Sequence, residues 1–227
     1  MVEAVNNLED LGFAKGAIFE AIVSTYCLDG QPTAAPMGVM TMNMQHVIVK
    51  PYCSTLTFKN LCFQRDAVLN LTSNPELYYR TVFKEVNPNG RVPLEWFGKA
   101  EIVNAPRVLS ADAFVEVSVV DIKLLGERAE FLCGVKLVRC SRVLPKAYCR
   151  ATFATIEAII HATRVKAFLN KGEYEKAERL IELIRHYSAV VNRVAPNSKC
   201  SEILADLIRQ VNLWRRENNE GSCENSF

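Results

Sequence analysis

Polar and apolar residues alternate along the first two thirds of the chain and then change rhythm. "GAIFEAIVSTYCLDG" (residues 16–30) alternates Ile18, Glu20 and Ile22 and ends on the turn pair Asp29–Gly30, and "QPTAAPMGVMTMN" (31–43) then resumes an extended run. Together they predict a β-hairpin. "HVIVKP" (46–51) reads as a third strand closed by Pro51, and "AVLNLT" (67–72) as a fourth, with a short helix across "TFKNLCFQRD" (57–66) between them. "PELYYRTVF" (75–83) predicts a helix, while the prolines and Asn89–Gly90 of "NPNGRVP" (87–93) predict a loop. "WFGKAEIVN" (96–104), "AFVEVSVVDIKLLG" (113–126) and "AEFLCGVKLVRCSRV" (129–143) predict three further strands. Short connections favour antiparallel pairing and a small barrel.

From Thr152 the apolar period lengthens from two to about 3.6 residues. "FATIEAIIHATRVKAFLNKG" (153–172) carries Ile156, Ile159, Ile160 and Ala167 on one side and stops at Gly172. A second helical run ends before Pro196, and a third, "SEILADLIRQVNLWRRE" (201–217), follows the capping residues Asn197 and Ser198. The polar "NNEGSCENSF" (218–227) predicts a disordered tail. The expected organisation is therefore mainly β with α: a barrel over 13–150, a three-helix segment over 151–217 and a tail over 218–227.

Bulk properties narrow the function classes. The 227 residues are 49% hydrophobic, enough for a full core, and a net charge of +2 gives no global field toward nucleic acid or membrane. Basic residues outnumber acidic ones 11 to 6 over 164–216, but they interleave at helical spacing, which predicts a solvated face rather than a nucleic-acid surface. The start "MVEAVNNLEDLGF" carries acids before any apolar run, unlike a secretory signal, and no membrane-spanning run follows, so a soluble, cytoplasmic protein is expected. None of the eight cysteines forms a C-x-x-C pair, which predicts buried free thiols, with a reactive Cys53 or Cys62 as the alternative. His46, His161 and His186 are isolated from one another, and glycine-rich nucleotide motifs and hydrolase motifs are missing, which argues against metal catalysis and against the common enzyme signatures.

Three stretches carry candidate chemistry. "KPYCSTLTFKNL" (50–61) sets Lys50, Ser54, Thr55 and Thr57 between a strand and a helix start, where backbone N–H groups and hydroxyls suit a phosphate monoester. Helix capping and a solvated lysine account for the same residues equally well. In "AAPMGVMT" (34–41), small residues and Gly38 admit a flat ring close to the backbone, although glycine in a strand more often marks a bulge. On the first C-terminal helix, Glu157, His161 and Arg164 share a face that reads better as a polar seam than as a catalytic set.

Taken in order, "GAIFEAIVSTYCLDGQPTAAPMGV", "KPYCSTLTFKNL", "AVLNLTSNPELYY" and "ATIEAIIHATR" resemble the family known as domain of unknown function 447, over residues 13–215. That family is mostly archaeal, with some bacterial members. It has the FMN-binding split-barrel fold shared with flavin reductase-like and pyridoxamine-phosphate-oxidase-like proteins. The resemblance implies a split β-barrel followed by a helical segment, and a homodimer with FMN at its interface. It also implies that Ser54, Thr57 and Asn60 grip the phosphate with help from Lys50, Tyr52 and Thr55. Pro36, Met37, Gly38 and Val39 are then expected against the isoalloxazine, Asn70 closing the site, and Trp96 with Phe97 reaching in from the second protomer. A bound flavin supplies the redox chemistry itself, so the want of acid–base motifs ceases to be a puzzle. The implied activities are an FMN-dependent oxidoreductase with a nicotinamide or deazaflavin donor, or a flavin carrier or sensor without turnover. A helical nucleic-acid or protein interaction module ranks last.

Overall fold

The structure, a computed structural model, describes residues 7–140 and 149–224. Residues 141–143 of the last strand reading and 225–227 of the expected tail lie outside the described residues. Described residues up to Thr72 and from Phe83 to Cys140 form one compact unit; Ser73–Val82 joins the helices after Cys149 in a second. The helix read at 75–83 therefore groups with the C-terminal helices and not with the barrel, which corrects the expectation of one unit over 13–150.

The first unit is a closed antiparallel barrel of β1 (Ile18–Tyr26), β2 (Pro32–Thr41), β3 (His46–Val49), β4 (Asp66–Leu71), β7 (Ala113–Leu125) and β8 (Arg128–Cys140), in the order β1-β2-β3-β8-β7-β4. Alternation explains the closure. Ala21, Val23, Val39, Val47, Val49, Leu69, Val115, Val117 and Phe131 point into one core, and each strand's intervening residues point outward. Helix α1 (Leu56–Gln64) links β3 to β4 and turns its buried Thr57, Asn60 and Leu61 inward.

The run at 96–104 departs from its strand reading. Only Phe97–Lys99 (β5) is extended, and it pairs with Pro106–Val108 (β6) in a separate two-stranded sheet. Glu116 explains the break. Its fully buried carboxylate accepts from the backbone N–H groups of Glu101 (2.6 Å), Ile102 (2.7 Å) and Val103 (3.1 Å) and curls the chain there. Asp66 adds a bond from Asn104 N at 2.8 Å. Asn70, also fully buried, accepts from Val108 N at 2.7 Å and donates to Ile22 O at 2.8 Å, tying β6 to the barrel wall.

In the second unit, α2 (Pro75–Val82), α3 (Arg150–Asn170), α4 (Tyr174–Val194) and α5 (Lys199–Glu224) pack along apolar stripes. The buried stripe of α3 runs through Ala158, Ile159, Ala162 and Val165, whereas Ala167 is exposed. Asn197 (φ 57°) ends the α4–α5 turn, and Ser198 Oγ accepts from Ser201 N at 3.3 Å. Helix α5 continues to Glu224, so residues 218–224 are helical where a disordered tail is expected.

Candidate functional site

The barrel is closed, but β2 is only partly paired on one of its edges. This strand pairs with β1 from Pro32 to Met40, but with β3 only at Val39, Met40 and Thr41. From Pro32 to Gly38 it has a strand partner on one side alone among the described residues, leaving backbone donors and acceptors free along the other edge. Val39 and Met37 turn their side chains to the barrel core, so only their backbone is offered outward. Pro36 and Gly38 alternate to the outer face. A Cβ at Gly38 would sit 2.8 Å from Cγ2 of the exposed Ile18, so any other residue here would push that side chain aside.

The β2–β3 register brings the two motifs together. Val39 pairs with Val49, which places Lys50 beside Gly38 at the point where β3 ends. Lys50 is not free: its Nζ pairs with Glu130 at 2.8 Å, both groups partly exposed. An ion pair of this exposure is worth about 0–1 kcal/mol, so it yields readily to a stronger anion. Tyr52 is held by Arg128, whose guanidinium lies 4.1 Å over its ring and donates to its hydroxyl at 2.6 Å.

Thr55 is the N-cap of α1: its hydroxyl accepts from Phe58 N at 3.3 Å and donates to Tyr52 O at 2.7 Å. Both readings of the stretch thus hold at different residues. Thr55 serves the helix, while the exposed Ser54 has no side-chain partner among the described residues and stands at the helix start. Thr57 and Asn60 are buried, 5% and 2% exposed, on the inner side of α1, and Asn60 donates to Thr25 Oγ1 at 2.9 Å. Asn70 has its amide fully used inside the wall, with Ser24 Oγ at 2.8 Å and Val68 O at 3.2 Å as its other acceptors. Trp96, half-buried, ends a 3-10 turn, and Phe97 begins β5. The β2–β3 register thus brings the Val39 end of the Pro36–Val39 stretch to Val49, next to Lys50, while Thr57, Asn60 and Asn70 are buried in the wall.

Other polar residues at the barrel's end carry no sequence motif. A cavity of about 420 Å³ is lined by Tyr26, Gln64, Lys99, Asn104 and the curled segment 100–105, and by none of the expected site residues. Lys84 reaches Thr33, and Cys27 lies beside Asn60. Glu116 lies on the outer face of β7, between the core-facing Val115 and Val117, and is buried beneath the 101–103 curl; neither it nor Lys84 stands in a sequence motif.

The cysteines depart from expectation in burial. The seven described are free, but only Cys133 is buried, and its thiol is pushed up to about 12 by burial. Exposed Cys62 is raised by burial and by neighbouring Cys53. Exposed Cys149, before α3, is lowered by the N–H groups of Thr152 and Ala151. Cys223 lies outside the residues whose side chains are described. On α3, Glu157 and Arg164 are exposed, and His161 is half-buried with Nδ1 unpartnered and its ring 5.8 Å from that of Tyr187. Burial lowers the His161 pKa, against Glu157 and with Arg164. Among the described residues no cluster of three or more His, Cys, Asp or Glu residues is placed to hold a metal, and no helix is long and apolar enough to cross a membrane.

Comparison with known proteins follows these lines. No curated protein matches the chain. An FMN-bound protein of the DUF447 family from Methanosarcina mazei superposes with a TM-score of 0.72 at 23% identity, covering 90% of this chain and all of its own. The flavin reductase component of a bacterial two-component tryptophan halogenase (TM-score 0.47, 15% identity) covers 55% of this chain and 82% of its own. A flavin reductase complexed with NADP+ (0.48, 16%) covers 61% and 88%. The Methanosarcina protein shares the fold of this chain, a closed antiparallel barrel with C-terminal helices. Two family models match in sequence, the N-terminal domain of the protein of unknown function DUF447 at residues 19–141 and a second DUF447 model at residues 149–210. Since the first model alone spans more than half of the residues, the chain belongs to the DUF447 family.

Proposed function

We propose that the chain binds FMN and works as a flavin-dependent oxidoreductase on a small substrate. The observation that carries this reading is the one-sided pairing of β2 from Pro32 to Gly38, where free backbone groups meet the flat polar edge that an isoalloxazine offers. The donor set beside it fits a phosphate ester: Ser54 Oγ–H, the first N–H groups of α1 and the weakly paired Lys50. The Methanosarcina relative, which is FMN-bound, adds support across the whole length of its chain. When bound, the flavin supplies hydride and electron transfer, so the protein's own residues need only grip, orient and exclude water.

In this reading a nicotinamide or deazaflavin donor reduces the flavin, and the working form is a homodimer with Trp96 and Phe97 of one protomer facing the flavin of its partner. Sedimentation velocity tests the dimer. The flavin reading is tested by a visible spectrum of the purified protein, with and without added FMN, before and after a reductant. Flavin absorption that bleaches with NADH or a reduced deazaflavin and recovers with an acceptor supports turnover. Yellow protein that no donor reduces demotes the chain to a carrier or sensor. If the chain shows no flavin absorption and no melting shift with FMN, the reading is abandoned.

Ser54→Ala is expected to weaken FMN binding by about 1–2 kcal/mol, one charge-assisted hydrogen bond. Removing Thr57 as well would disturb a buried side chain, so the single variant is the cleaner measurement.

A further inference from the structure

At the end of the barrel where β1 passes into β2, polar side chains collect with donors in excess. Thr25 and Thr33 pair directly across the two strands, and both are nearly buried. Each accepts a hydrogen bond through its hydroxyl oxygen: Thr25 from Asn60 Nδ2 at 2.9 Å, and Thr33 from Lys84 Nζ at 2.8 Å. A hydroxyl that accepts keeps its own proton to give. The Lys84 ammonium has three protons and uses one on Thr33. Asn60 Nδ2 also lies 3.7 Å from Cys27 Sγ, which brings the thiol into the group.

No carboxylate answers this collection. Among the described residues Lys84 forms no ion pair, and its ammonium has a neutral hydroxyl as its partner. The half-buried position is uncomfortable for a lone cation. Burial pushes the Lys84 amine below the usual lysine range, and Cys27 is the one neighbour that pulls it back. A partly dry cation beside two hydroxyls that each keep a proton to donate is a donor set suited to an oxyanion.

We propose that Lys84, Thr33, Thr25 and Cys27 form an oxyanion seat that takes a phosphate monoester. Two molecules bear this chemistry: the flavin itself, if FMN binds along β2, of which Thr33 is a part, and a separate phosphorylated reactant. The first source rests on the FMN reading above and would shift the phosphate from Ser54 toward Lys84. The second does not depend on it.

The experiment measures FMN and riboflavin affinities by flavin fluorescence, and the melting temperature against inorganic phosphate, for the parent chain, Lys84→Met and Lys84→Arg. The expected result is that Lys84→Met leaves FMN affinity unchanged and abolishes the phosphate-induced rise in melting temperature, and that Lys84→Arg recovers part of that rise, which assigns the seat to a separate phosphorylated molecule. A roughly 10- to 100-fold loss of FMN affinity with riboflavin binding unchanged assigns the seat to the flavin phosphate instead and overturns the Ser54 placement. If Lys84→Met changes neither the FMN-to-riboflavin ratio nor the phosphate response, the seat is overturned. Should the parent chain bind no flavin, the FMN reading falls and the phosphate response alone decides. If Lys84→Met does not fold, Thr33→Val removes the adjacent hydroxyl and is judged by the same two readings.

Discussion

The barrel and the helical unit bury polar groups in opposite ways. In the barrel, Ser24, Asn60, Asn70 and Glu116 bond across from one element to another: Asn60 from α1 to β1, Asn70 from β4 to β1 and β6, and Glu116 from β7 to the curl at 101–103. In the helical unit, buried Thr81 and Thr155 bond back to their own helix, at Leu77 O and Ala151 O, and the exception is Tyr79 of α2, whose hydroxyl meets Asp206 and Gln210 of α5. The helices pack along apolar stripes, and the ion pairs among their described residues lie within α2, at or within α4, and within α5 or, for Arg215 and Glu178, between α5 and α4. A helix satisfies its own backbone, so its side chains are left to pack. A barrel wall that is irregular at the 100–105 curl leaves backbone groups over, and side chains must satisfy them. Both proposed sites lie in the barrel unit, along the partly paired edge of β2 and around Lys84.

The contrast predicts unequal responses to loss of a buried polar group. Glu116→Ala takes the buried carboxylate from three backbone N–H groups, of which that of Val103 is buried, and is expected to destabilise the barrel by about 3–5 kcal/mol, seen as a lower urea midpoint. Thr155→Val, which removes one hydroxyl from α3, should stay within about 1 kcal/mol. Similar losses from the two would erase the distinction. Asn70→Ala is expected to cost about 2–3 kcal/mol, because Val108 N and the barrel wall lose their shared partner. A smaller loss would show that β6 holds itself in place.

In the helical unit the titrating group is His161. Its pKa is lowered in the folded chain, so the unfolded chain binds the proton more readily, and stability falls as pH drops through the ordinary histidine value. A fall in melting temperature between about pH 7 and pH 5 is expected, with His161→Gln flattening it. A pH-independent difference between parent and variant would mean that Glu157 offsets burial and Arg164 in full. The smallest effect concerns reactivity alone: near neutral pH, iodoacetamide should modify Cys149 first, Cys62 later and Cys133 last, followed by peptide mass mapping. Early labelling of Cys133 would mean that the barrel opens.

Much of this was readable along the chain. Period-two runs marked the barrel strands, the change of period near Thr152 marked the helices, and Asn197–Ser198 marked the last turn, because each is a local consequence of where apolar side chains and capping groups fall. Ordered motifs identified the family over nearly the whole fold, and both family models agree. The strand reading at 96–104 failed because a distant carboxylate, Glu116, competes for the same N–H groups. The grouping of α2 with the later helices was hidden for a similar reason: Tyr79 finds its partners, Asp206 and Gln210, more than a hundred residues away.

The chain's own pattern settles which segments are strands and which are helices, and which of them carry hydroxyls, amides and cations. It does not settle which of those groups remain available. Thr55 and Ser54 are neighbours of similar chemistry, yet one caps a helix and the other is free; Lys50 and Lys84 are both lysines, yet one meets Glu130 and the other meets only a threonine. Availability depends on whether a partner from elsewhere in the chain arrives within about 3 Å, and strand register and barrel closure alone decide that.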